Sequence, residues 1–254
     1  MPKLALVTGA SSGIGASYTR LLAAEGYNLV LVARDGRRLE ALCTELSKAH
    51  GIDANFFTVD LTTESGCSKV EEFLATNEVD VLINNAGYGL NSAFTKSEIA
   101  KEQEVLNILV RTPMRLCHAV LPGMKARGRG IVVNVSSVAG FIAGGAYSAM
   151  KSYVTVLSES LNAELAGTGV TVSALCPGFT RTEFHQRASM KMDSLPNFMW
   201  LNADRLVSKS WSDSKRGKAV SVPGWQYRAL LLVIRIAPRA WVRQTGMNLR
   251  RKQR

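Results

Sequence analysis

The sequence predicts a doubly wound α/β fold: a seven-stranded parallel sheet with helices on both faces, plus a C-terminal helical extension. Two observations carry this. Short apolar runs recur between helix-length segments, and they lack the polar alternation of a strand with one wet face. Strands buried on both faces belong to parallel sheets covered by helices. A glycine-rich turn also joins the first run to the first helical segment, where an open α/β sheet carries its ligand. At 254 residues, 46% of them hydrophobic, the chain suffices for one large domain.

The elements come in order along the chain. Residues 4–7 read as the first strand and 13–25 as the first helix, stopped by Gly26. Residues 29–33 make the second strand, 36–49 a helix, 55–59 the third strand, 64–76 a helix and 79–83 the fourth strand. Residues 97–126 predict one or two helices, with Pro113 as a kink or a boundary. Residues 131–135, 170–175 and 218–222 supply strands five to seven, and 146–166 a long helix between the first two of these. Residues 183–213 fit the rhythm least. Their Met, Phe and Trp, with Pro196 and several Ser and Asp, predict an irregular insertion beside the site, a substrate lid.

The net charge of +11 is uneven: residues 1–213 hold 20 basic and 20 acidic residues, and residues 214–254 hold 11 basic and none acidic. The chain reads as a neutral body with a cationic end. Cys43, Cys67, Cys117 and Cys176 are far apart, without a CxxC pair, and read as reduced, buried thiols rather than metal ligands. His50, His118 and His185 lack metal or triad spacing and read as surface or packing residues, His185 alone lying near the expected lid. No apolar run is long enough to span a bilayer, and the N-terminus lacks a signal-peptide layout, so a cytoplasmic protein is expected.

The turn Thr8-Gly9-Ala10-Ser11-Ser12-Gly13-Ile14-Gly15 suits a pyrophosphate. Glycines let the backbone approach closely, and the helix N-terminus offers free N–H groups and positive potential. Its spacing is G-x3-G-x-G, not G-x-G-x-x-G, and taken alone it is also compatible with an ordinary turn. Further on, Tyr147 and Lys151 stand four apart, which puts both on one face of a helix. A free phenol has a pKa of about 10, and a neighbouring ammonium lowers it. Such a pair passes a proton to a developing alkoxide or takes one from an alcohol.

With these residues the chain resembles the short-chain dehydrogenase/reductase family, a Rossmann-fold group. The family's T-G-x3-G-I-G is Thr8 to Gly15, its N-N-A-G is Asn84-Asn85-Ala86-Gly87, its Y-x3-K is Tyr147 to Lys151, and its P-G-x3-T is Pro177 to Thr182. All four occur in the family's order. The resemblance covers about residues 3–222 and implies a dinucleotide-binding catalytic domain over 1–224, with a basic amphipathic extension over 225–254.

The resemblance implies site residues one by one. Gly9, Ser11, Ser12, Gly13, Ile14 and Gly15 would cradle the pyrophosphate. Asp60 and Leu61 would flank the adenine, Asn85, Ala86 and Gly87 the adenosine ribose. Pro177, Gly178, Thr180 and Thr182 would anchor the nicotinamide carboxamide, and Lys151 its ribose. Ser137 would hold the substrate carbonyl, and Asn107 a water that contacts Lys151; a capping or solvated role for Asn107 stays open. At the end of the second strand an acid suits the NAD ribose and an arginine the NADP phosphate, and Arg34 and Asp35 offer both. Arg37 and Arg38 add positive potential, so NADP(H) is expected over NAD(H). One departure stands out. The stretch from Ser137 to Tyr147 is shorter than is usual in the family, with Gly140, Gly144 and Gly145 filling it, and whether Ser136 or Ser137 points inward stays open.

The implied activity is NADPH-dependent interconversion of a ketone and a secondary alcohol, resembling 3-oxoacyl-type reductases, on an apolar or lipid-like substrate. A non-catalytic NADP-binding sensor or scaffold is the alternative. The family implies a homo-oligomer, dimer or tetramer. No nucleic-acid readout module accompanies the basic tail, so no nucleic-acid partner is expected. In residues 225–243, apolar 229–234 sit among Arg228, Arg235, Arg239 and Arg243, and Pro238 splits the segment. Such a cationic amphipathic stretch can lie on an anionic membrane, cover the pocket or pack on a subunit.

Overall fold

In a computed structural model the chain forms the expected sheet; residues 3–183 and 196–238 are described, with 240, 242 and 244. The strands are β1 (Leu4–Thr8), β2 (Asn28–Ala33), β3 (Ala54–Thr58), β4 (Val81–Asn84), β5 (Gly130–Val135), β6 (Val170–Leu175) and β7 (Val220–Ser221). All pair in parallel in the order β3-β2-β1-β4-β5-β6-β7. The chain starts in the middle, winds outward to β3, then returns past β1 to β4. The crevice at this reversal, at the carboxyl ends of β1 and β4, is where such sheets bind ligands.

The helices are α1 (Gly13–Ala24), α2 (Gly36–His50), α3 (Glu64–Thr76), α4 (Ile99–Leu106), α5 (Thr112–Arg127), α6 (Ala146–Glu164), α7 (Ala203–Lys215) and α8 (Trp225–Ile236). Alternate residues of a strand point to opposite faces, so the inner strands feed two cores. On one face Leu6, Leu82, Val132 and Val172 pack with Val70, Leu116 and Met150 of α3, α5 and α6. On the other, Val7, Leu31, Ile83 and Val133 pack with Tyr18, Leu39 and Trp211 of α1, α2 and α7. The four cysteines are buried and unpaired with one another.

Three details differ from the sequence expectation or sharpen it. Residues 203–215, expected largely within an irregular insertion, form helix α7, with Asn202 accepting from the Arg205 N–H at 3.0 Å as its cap. Its serines and aspartate are internal partners: Tyr18 donates to Ser210 at 2.8 Å, and Asp213 binds Lys209, Lys218 and Ser221. Residues 184–195, His185 among them, lie outside the described residues. Pro113 falls within a continuous helical run rather than at a free helix start: a π-helical turn over Asn107–Arg111 lies between α4 and α5, with Leu106, Arg111 and Thr112 all right-handed helical, and the proline follows that turn directly. The seventh strand is shorter than expected, reduced to Val220–Ser221. Among the described residues, no helix is long and apolar enough to cross a membrane.

Candidate active site

The loops after β1, β4, β5 and β6 converge on one cleft of about 900 Å³. Thr8 locks the first two loops together. Its Oγ1 accepts from the Asn85 and Ala86 N–H groups at 2.9 and 3.0 Å and donates to Ile83 O at 3.2 Å. Asn85 reaches back, its Nδ2 donating to Thr8 O and Gly9 O at 3.0 and 3.1 Å. A Cβ on Gly15 would lie 2.2 Å from Gly9 O, so α1 can pack this close to the turn only with glycine there. Gly15 therefore shapes the turn from behind, whereas Gly9, Ser11, Ser12, Gly13 and Ile14 line the cleft.

The start of α1 fits an anion. Ser12 makes no side-chain cap, and the first turn holds no acidic residue, so nothing on the helix itself competes for the positive end. At the end of β2, Asp35 is engaged as the cap of α2: its carboxylate accepts from the Arg38 N–H at 3.1 Å and lies 3.4 Å from the Arg38 guanidinium. Arg34 extends from the cleft wall into solvent, 3.9 Å from Asp60. Asp60, Leu61, Asn85, Ala86 and Gly87 line the same wall.

At the other end, α6 and the end of β5 build a buried ammonium. The Lys151 Nζ donates to Val135 O at 2.6 Å. Burial pushes its pKa down to about 8. Ser136 holds this lysine's backbone together with Thr155: its Oγ donates to Lys151 O at 2.7 Å and shares a 2.7 Å bond with Thr155, whose hydroxyl lies 3.0 Å from the same carbonyl. Ser137 instead sits half-buried on the cleft wall, its Oγ accepting from the Ala139 N–H at 3.1 Å. The backbone stays extended just past β5, where neighbours face opposite ways, which separates the two serines. Tyr147 lines the cleft one turn before Lys151, and the Lys151 Nζ lies 5.8 Å from its ring centre. The short loop closes because Gly140 lets it lie on α6: a Cβ there would be 2.9 Å from the Lys151 carbonyl carbon.

Pro177, Gly178, Thr180 and Thr182 line the cleft opposite the glycine-rich turn. Asn107 does not line it. It opens the π-helical turn, and its Nδ2 donates to Thr62 O at 3.1 Å. Tyr88, Ile142, Met199 and three residues of α8, namely Tyr227, Leu230 and Ile234, complete the wall; the sequence reading named none of them singly, but α8 fulfils the pocket-covering alternative for 225–243, and Met199 falls within the expected lid. Tyr227 is buried; its hydroxyl donates to Met199 O at 2.5 Å and accepts from the Phe179 N–H at 2.9 Å. A Cβ on Gly178 would fall 1.9 Å from the Tyr227 ring, so that glycine admits the tyrosine. The sequence left open whether the apolar repeat on α8 covers the pocket, a membrane or a subunit; one side of it lines the cleft. Among the described residues, no cluster of His, Cys, Asp and Glu could hold a metal.

A family model described as short chain dehydrogenase matches residues 3–193. The ketoacyl reductase HetN of Nostoc sp. is 35% identical over 228 residues, which is 87% of this chain and 77% of that protein. Among solved structures, a short-chain dehydrogenase from Sphingobium yanoikuyae in complex with NADPH is 34% identical, with a TM-score of 0.85 over 92% of this chain and 94% of that one. The bulky-bulky ketone specific alcohol dehydrogenase from Comamonas testosteroni is 31% identical, with a TM-score of 0.79 over 94% of this chain and 96% of that one.

Proposed function

The chain belongs to the short-chain dehydrogenase/reductase family and is an NAD(P)-dependent oxidoreductase, and from that premise we propose that it reduces an apolar ketone to a secondary alcohol with NADPH. The observation that carries the reading is a phenol and a buried ammonium on one helix face, beside a serine hydroxyl, in a cleft whose other end is built for a pyrophosphate.

The bare N-terminus of α1 fits the pyrophosphate, and Arg34 fits the 2′-phosphate because Asp35 is already spent on capping α2. The nicotinamide end falls to Lys151, Pro177, Gly178, Thr180 and Thr182. When bound, NADPH supplies the hydride for the carbonyl carbon. The chain's own residues handle the oxygen. Ser137 Oγ donates a hydrogen bond to it. The Tyr147 hydroxyl gives it a proton as negative charge develops. The Lys151 ammonium favours the phenolate that remains. The Asn107 side chain is committed to Thr62 O at the start of the π-helical turn, which favours a structural role for it over contact with Lys151.

The apolar character of the substrate is argued from the wall beyond Tyr147, where Ile142, Met199, Leu230 and Ile234 meet. HetN and the Comamonas enzyme, by name a ketoacyl reductase and a bulky-ketone alcohol dehydrogenase, agree with such a wall. The test is consumption of NADPH against ketones of increasing chain length, with NADH as control. The expected result is turnover that rises with chain length and is faster with NADPH. Absence of turnover with every ketone, despite NADPH binding, would leave a nucleotide-binding protein without this chemistry.

A further inference from the structure

Helix α8 is apolar on two opposite sides. Tyr227, Leu230 and Ile234 form the side that lines the cleft. Trp225, Ala229, Leu232 and Ile236 succeed one another at steps of four, three and four, which places them in a single stripe on the other side. That stripe is open to solvent: Trp225 is 69% exposed, Leu232 65% and Ile236 78%. Phe198, itself 63% exposed, lies at the same end, because Gln226 Nε2 donates to Phe198 O at 3.0 Å. Arg228 and Arg235, seven apart, flank the stripe along one edge, and both are exposed.

We propose that this outward stripe of α8 docks the protein on an anionic lipid surface. Charge selects lipid over a second copy of the chain. Residues 214–254 contain 11 basic residues and no acidic one, so two copies of this face repel each other, whereas acidic headgroups complement it. A tryptophan at the end of an apolar stripe edged by arginines suits the headgroup boundary. Twelve residues of helix reach roughly 18 Å, too short to cross a bilayer but sufficient to lie in its surface. Docked this way, the helix that forms the cleft's apolar wall rests on the lipid. The docking itself is independent of the proposed ketone reduction.

The test is flotation of the full chain with phosphatidylcholine vesicles, with and without phosphatidylglycerol, at low and high salt. The expected result is binding to the phosphatidylglycerol vesicles that weakens with salt. Replacing the stripe (Trp225→Ser, Leu232→Ser, Ile236→Ser) should weaken it by about a thousandfold, since three buried side chains of this size contribute about 1.5 kcal/mol or more each. Arg228→Gln with Arg235→Gln should weaken it about thirtyfold, at about 1 kcal/mol for each charge. NADPH binding serves as the control for folding, since neither variant touches the cleft. No binding at low salt overturns the proposal. Binding that survives the stripe variant overturns it too, because the basic tail alone would then suffice. A lipid-free dimer that the stripe variant dissociates assigns the face to a second copy and likewise overturns it. Loss of the ketone-reductase reading would leave the flotation result unchanged.

Discussion

The Lys151 ammonium lies 5.8 Å from the centre of the Tyr147 ring, one turn along α6. Burial holds its pKa at about 8, and Val135 O, 2.6 Å away, fixes its position. The charge that favours phenolate is therefore present below that pH and fades above it. We expect kcat/KM for ketone reduction to fall as pH rises through about 8, a limb that belongs to the free enzyme. A pH–rate profile that stays flat to pH 10 would remove Lys151 from this role.

The same burial has a consequence for stability. Unfolded, this lysine keeps its proton to about pH 10.4. Folded, it loses it at about 8. Between those values the unfolded chain holds more protons, so stability rises with pH across the window, and the full cost of the buried charge is felt below it. The rise amounts to about 3 kcal/mol. In Lys151→Met it should vanish. Urea midpoints of both proteins at neutral pH and near pH 10 measure the difference, and parallel behaviour would contradict the burial.

Ser136 and Ser137 should separate cleanly. Ser136→Ala removes the hydroxyl that holds Lys151 O and Thr155, and should cost about 1 kcal/mol of stability. Ser137→Ala removes a hydroxyl on the cleft wall, and should lower kcat by about tenfold to a hundredfold with little loss of stability. Denaturant midpoints beside turnover numbers decide it; equal effects of the two changes would refute the division of labour.

Much of this site was legible in the sequence because the fold obliges it. A strand buried on both faces is a continuous apolar run, and each run gives way to a loop at the carboxyl edge of the sheet. The glycine-rich turn, Asn85 to Gly87, Ser137 and Pro177 all stand just after such runs, and Gly9, Ser11 to Ile14, Asn85 to Gly87, Ser137 and Pro177 meet in one cleft. Two kinds of feature were not legible. Ser208, Ser210, Ser212 and Asp213 made α7 look like a loop, since these residues compete with helical hydrogen bonding. In the fold Ser210 and Asp213 are internal partners of Tyr18, Lys209, Lys218 and Ser221, and tertiary contact overrides propensity. That Tyr227, Leu230 and Ile234 make the wall was undetermined for another reason: pocket cover was one of three alternatives, and a helix apolar on two sides does not announce which side meets the cleft.

Cofactor choice should rest on Arg34 rather than Asp35. Arg34→Glu should raise the KM for NADPH by about tenfold to a hundredfold, the worth of a hydrogen bond to a charged group. The KM for NADH should not rise. Asp35→Ala should cost about 1 kcal/mol of stability through the lost cap of α2, with the preference between cofactors unchanged. Initial rates with both nucleotides test this, and a preference that moves with Asp35 alone would reverse the assignment.

The most direct measurement is NADPH oxidation by Tyr147→Phe in the presence of a ketone the native protein reduces. The substitution deletes one hydroxyl and leaves the ring, the lysine and the rest of the cleft in place. The proposed chemistry requires turnover to fall by about a hundredfold to ten-thousandfold while NADPH still binds with native affinity. Turnover within a few-fold of native would mean that the proton comes from elsewhere, and the phenol–ammonium pair would not be the catalytic centre of this protein.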